Sequence, residues 1–160
     1  MKVFYTIFAI GIMTASCSET TSISLSNKPY SDNDGLLFYS AWRCSILAEF
    51  KDDPVEQTRL FELGFKVGKG FVNRALDKSM DEEEWKKAPI GVTWELSGGP
   101  SVDYRLGYLF KSITTDVYKT LTKEDSNGVP FDDIANWRDD DARKSYAESL
   151  FRKSNCSVLR

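Results

Sequence analysis

Apolar residues along this chain fall into three spacing patterns. Val3 to Met13 is a near-continuous apolar run. Four later stretches repeat apolar positions every three or four residues, the period of a helix with one buried face. The first holds Leu36, Leu37, Ala41, Cys44, Leu47 and Ala48, widened by Phe38, Tyr39, Trp42 and Ile46, which predicts a central helix. The second places Leu60, Phe61, Gly64, Val67, Gly68, Phe71, Val72 and Ala75 inward and runs to about Asp77. The third carries Val102, Leu106, Leu109, Phe110, Ile113, Val117 and Leu121; the fourth carries Ala142, Tyr146, Ala147, Leu150 and Phe151. Between the second and third, Ile90, Val92, Trp94 and Leu96 alternate with Gly91, Thr93 and Glu95. Alternation is a strand period, but no partner strand is evident. The reading is therefore an extended loop near residues 89–100, bracketed by Pro89 and Gly98-Gly99-Pro100, with its four apolar side chains on one side and Glu95 on the other.

Start and stop signals agree with the helical stretches. Ser31 to Gly35 is rich in capping residues, and Asp53-Pro54-Val55-Glu56 joins a cap, a first-turn proline and a Glu that can reach back. Ser79-Met80-Asp81-Glu82 predicts a short helix to about Ala88, stopped by Pro89. Asp125-Ser126-Asn127-Gly128 reads as a turn, and a turn of helix is expected around Phe131, Ile134 and Trp137. Asp139 to Asp141 suit a helix N-terminus, and Asn155 a helix end. The fold expected is all-α: about four main helices in an antiparallel bundle, forming one domain over residues 31–160.

Composition narrows the chemistry. The chain has 160 residues and a formal net charge of −3. No basic stripe is present to meet phosphates, so nucleic acid is not an expected partner. There is no histidine. That removes Ser-His-Asp and Cys-His catalysis and the usual zinc ligand sets, and neither a metal nor a cofactor is expected. Gly64 to Gly70 approaches a phosphate loop, but its spacing is one residue short and Gly70 stands where Ser or Thr is needed. Close helix packing is the reading preferred there. Asp32 to Gly35 approaches a calcium loop, but Tyr30 and Ala41 fall on ligand positions, so capping is preferred. Asp132, Asp133 and Asp139 to Asp141 could attract a cation; a solvated helix start is the simpler account.

The N-terminus carries an address. Lys2, the short apolar run and the small residues Thr14, Ala15 and Ser16 have the layout of a secretory signal, too short to span a bilayer. Met13-Thr14-Ala15-Ser16-Cys17 resembles the lipobox of bacterial lipoproteins. The resemblance implies removal of residues 1–16, lipid attachment at Cys17 and anchoring in the envelope. Ser18 after the Cys is similar to outer-membrane sorting signals. Residues 17–30, rich in Ser and Thr, read as a disordered tether. If Cys17 is lipidated, Cys44 and Cys156 are left as an even pair in an oxidising compartment, and a disulfide is expected.

Two candidate sites follow. Trp85, Trp94 and Trp137 lie in the irregular segments and, together with Glu95, are the candidate contact residues for another protein. Glu95, flanked by Trp94 and Leu96, would suit a general acid if buried, with Asp103 as a possible second carboxylate. Alternation favours an outward-facing Glu95 instead. The leading reading is an exported, lipid-anchored binding module that acts by protein contact in the periplasm or on the cell surface, as an inhibitor, immunity-type or accessory protein. The alternatives are a carboxylate-based hydrolase of cell-wall glycan and a purely structural envelope lipoprotein.

Overall fold

A computed structural model describes residue 31, residues 33–96 and residues 98–160. The signal, Cys17 and the tether lie outside the described residues. Six α-helices are present among the described residues: α1 (Asp34–Phe50), α2 (Pro54–Leu76), α3 (Glu82–Lys87), α4 (Ile90–Glu95), α5 (Val102–Lys123) and α6 (Asp140–Lys153). Short 3-10 turns follow at Ile134–Asn136 and Cys156–Val158. None of the described helices is long and apolar enough to cross a membrane.

Helix α1 is the centre of the bundle. Its faces bury Phe38, Ala41, Trp42, Cys44, Ile46, Leu47 and Ala48 almost completely, and it packs on α2, α5, α6 and α3. Apolar residues all round a helix are what a position between several neighbours demands. Leu36, expected inward, is half-exposed because the first turn of α1 turns Gly35 and Phe38 to the core instead; Ala142 is likewise exposed in the first turn of α6. Phe61 is partly exposed and lies across Phe65 and Phe110 rather than deep in the core.

Close approach of α1 and α2 depends on small residues. A Cβ at Gly64 would lie 2.5 Å from Trp42 Cδ1, and one at Gly68 would lie 3.2 Å from Leu106 Cδ2. The Trp42 indole rests on the α2 backbone and donates to the Phe61 carbonyl at 3.3 Å. The cost of glycine inside a helix is offset by burial of that ring.

The caps are local; those at Asp53 and Asn155 fall where expected, whereas Asn33 at the start of α1 makes no side-chain capping bond. Asp53 accepts from Glu56 N at 3.1 Å at the start of α2, and the Lys51 ammonium beside it holds its carboxyl below the usual range. Ser101 caps α5 and Asp139 caps α6. Asp81, rather than Ser79, caps α3. Asn155 adopts a left-handed conformation just after α6. Asp133 caps the 3-10 turn before Trp137. Two of the acidic residues at 132–141 thus serve as caps, Asp133 and Asp139.

Cys44 and Cys156 are paired as a disulfide, with Cα atoms 5.5 Å apart and a sequence separation of 112. It joins α1 to the segment after α6. Arg59 secures the same segment, donating to the Leu159 carbonyl at 2.7 Å and the Cys156 carbonyl at 3.3 Å. Glu56 orients that guanidinium, and the bond from Arg59 holds the Glu56 carboxyl below its usual range. At the other end, Arg74 bridges Asp34 at 2.9 Å and the buried Glu84 at 2.8 Å, tying α1, α2 and α3 together.

The expected extended loop near residues 89–100 is corrected. Residues 90–95 form helix α4. Val92 and Leu96 are buried, whereas Ile90 and Trp94 are each 76% exposed. Apolar residues spaced by two satisfy a helix through i, i+4 pairs as readily as they satisfy a strand. Here one pair faces the core and the other faces solvent.

Candidate functional site

Helix α4 presents the least satisfied apolar surface among the described residues. It is six residues long and begins at Pro89, whose fixed φ suits a helix entry. Val92 and Leu96 dock it against the core beside α5. That orientation leaves Ile90 and Trp94 outward and sets Glu95 toward the flank of α5. Arg105 fastens the following segment by donating to the carbonyls of Leu96 and Gly99. Gly99 has φ +106°, a left-handed value that disfavours other residues, and Tyr104 lies against its Cα. The turn therefore places Tyr104 at the edge of a cleft.

That cleft is lined by Glu95, Gly98, Gly99, Tyr104 and Tyr108 and holds about 260 Å³. Glu95 is half-buried in it and accepts from Ser112 Oγ at 3.3 Å. A neighbouring groove of about 270 Å³ runs between α1, α4 and α5, where Tyr39, Gly91, Ser112 and Asp116 meet. Tyr108, Ser112 and Asp116 also border a surface depression along α5 that touches both. The three adjoin as one trench along the α5 flank, lined by tyrosines, by the carboxylates of Glu95 and Asp116 and by the ammonium side chains of Lys111 and Lys119.

The structure does not gather all the residues singled out from sequence. Trp94 and Glu95 share α4 at the trench. Trp85 is 38% exposed on α3 and packs edge-on against Phe71 of α2. Trp137 is half-buried beneath Lys123, whose Nζ lies 4.5 Å from the ring centroid. Lys123 ends α5, about 28 Å along the helix axis from Tyr104, so Trp137 belongs to the opposite end of the molecule. Asp103 is exposed in the first turn of α5 and does not line the cleft of Glu95; Asp116 is the second carboxylate of the trench. Tyr39, Tyr104, Tyr108, Ser112 and Asp116 escaped the sequence reading. A signal existed for two of them: Tyr104 and Tyr108 are one turn apart on the side of α5 opposite its apolar stripe.

Comparison with known proteins adds no relative: no family model, no curated protein and no solved structure matches this chain.

Proposed function

We propose that this protein is an exported, lipid-anchored binding module that acts by contact with another protein of the cell envelope. The observation that carries the contact role is the pair Ile90 and Trp94, each 76% exposed one turn apart on α4. Aromatic and aliphatic side chains grouped in this way are typical anchors of protein interfaces. The anchor rests on the lipobox-like segment ending at Cys17. A tether of residues 17–30 behaving as a flexible coil would keep the domain within roughly 20–25 Å of the bilayer, so the partner is membrane-proximal.

The test is site-specific photo-cross-linking in cells of the source organism. A photoreactive residue at position 90 should give one discrete adduct with an envelope protein, and the same residue at Val158 should not. No adduct at position 90 would defeat the contact reading. Glu95 in its cleft also supports a second reading, hydrolysis of cell-wall glycan. Peptidoglycan cleavage by wild type that vanishes in Glu95→Gln, with the fold intact, would favour that enzyme.

A further inference from the structure

We infer that the tether holds α4 on the bilayer-facing end of the domain, so that the partner is an integral membrane protein met where it emerges from the headgroups. This rests on the lipid anchor and the contact role proposed above and specifies the partner.

The root of the tether is tied to the contact helix through named residues. Ser31 is fixed to the start of α1: its carbonyl accepts from Asp34 N at 3.0 Å, and its own N–H donates to Asp34 Oδ1 at 3.3 Å. The other oxygen of that carboxylate, Oδ2, accepts from Arg74 at 2.9 Å, and Arg74 reaches the buried Glu84 of α3 at 2.8 Å. Next along α1, a Cβ at Gly35 would lie 2.9 Å from the Ala88 Cβ. Ala88 stands just before Pro89 and Ile90, which places the Ile90 Cα within about 14 Å of the Gly35 Cα. Tyr39, one turn further along α1, shares a groove with Gly91 and Val92. Helices α3 and α4 thus lie against the end of α1 at which the tether enters.

Anchoring treats the two ends of the domain differently. The tether keeps its root, and α4 with it, within roughly 20–25 Å of the bilayer. Phe50 ends α1 about 22 Å along the axis from Gly35. The start of α6 belongs to that far end, because Asp140 and Asp141 share a cavity with Glu49 and Phe50. Ile90 and Trp94 therefore stand nearest the level at which integral proteins carry belts of Trp and Tyr. An aliphatic side chain and an indole pack well against such rings. Bare lipid is the lesser match. Glu82, Glu83 and Glu95 against Lys86 and Lys87 leave α3 and α4 without the net positive charge that draws a protein onto anionic lipid.

Two measurements on the full-length lipidated protein test this. The first uses nitrogen-15-labelled protein in nanodiscs of phosphatidylethanolamine and phosphatidylglycerol. A gadolinium chelate on the headgroups should broaden the amides of Gly91 and Thr93 severalfold more than those of Asp140 and Lys144. A nitroxide at mid-acyl chain should broaden neither pair. Equal broadening of the two ends by the headgroup probe overturns the inference. Broadening of Gly91 by the acyl-chain probe also overturns it, because lipid is then the occupant. The second uses the photoreactive residue at position 90 in cells, with adducts identified by mass spectrometry. It should capture a protein with membrane-spanning helices or strands, and the same residue at Asp140 should not; equal capture at both positions overturns the inference. An adduct at position 90 with a protein lacking any spanning segment overturns the inference and leaves the contact role standing. Absence of any adduct at position 90 defeats the contact role and the inference with it.

Discussion

Single atoms decide several features of this protein, and Gly64 shows it best. Trp42 occupies the space a Cβ would need, with 2.5 Å between that position and Cδ1. Gly64→Ala should destabilise the fold by about 2–3 kcal/mol through overpacking, seen as a lower urea midpoint. Gly107 lies in α5 with nothing within 4 Å of a Cβ. Gly107→Ala should instead stabilise by about 0.5–1 kcal/mol. Equal effects of the two would show that Trp42 does not rest on α2. The small residues at 64 and 68 are legible in sequence as a site of close approach. The ring that fills the site is not, because Trp42 and Gly64 belong to different helices.

At the scale of elements, α4 is where local pattern and tertiary structure part. On an alternating strand, Val92 and Trp94 would share one environment. On the helix they do not. Val92→Ala should cost about 1–2 kcal/mol from the cavity it leaves, while Trp94→Ser should stay within about 0.5 kcal/mol of wild type. Thermal melts of both variants check this, and comparable losses would restore the extended reading. The α2 entry is testable by pH. Glu56 is held below its ordinary range by Arg59, so it contributes stability that is complete above that range, near pH 4.3, and lost as pH falls through it and below. Glu56→Gln should therefore lose less stability than wild type between about pH 5 and pH 3. Melting temperatures across that window measure the difference. Because Arg59 also grips the carbonyls of Cys156 and Leu159, the hydrogen-exchange protection factors of the C-terminal turn should fall in acid.

For the whole molecule, the disulfide closes nearly all of the folded chain into one loop. With a sequence separation of 112 between Cys44 and Cys156, its loss should cost about 4–5 kcal/mol on a chain-entropy account. The Cys44→Ala/Cys156→Ala variant should show this in chemical unfolding. Alkylation without reductant followed by intact mass should show neither thiol free. The bond agrees with the proposed export, since a cytosolic pool would keep the thiols reduced. Cys17→Ala should move the protein from the membrane fraction to the soluble fraction, and a wild type already soluble would count against the lipid anchor.

The amino-acid sequence by itself determined the all-α class, the four long helices, the Asp53 cap of α2 and the pairing of Cys44 with Cys156. Those features rest on signals confined to a helical turn or two, or on an even count of cysteines, and short-range signals survive without knowledge of the neighbours. Tertiary structure decided which face of residues 90–96 is buried, that Trp137 stands at the far end from Trp94, and that Glu95 meets Ser112 rather than Asp103. A spacing of two over seven residues fits strand alternation and helical i, i+4 pairs equally. Only the surfaces of α1 and α5, distant along the chain, select between them by offering a site for Val92 and Leu96. The trench follows from that choice, since burial of one pair turns Glu95 toward α5 and leaves Ile90 and Trp94 in solvent.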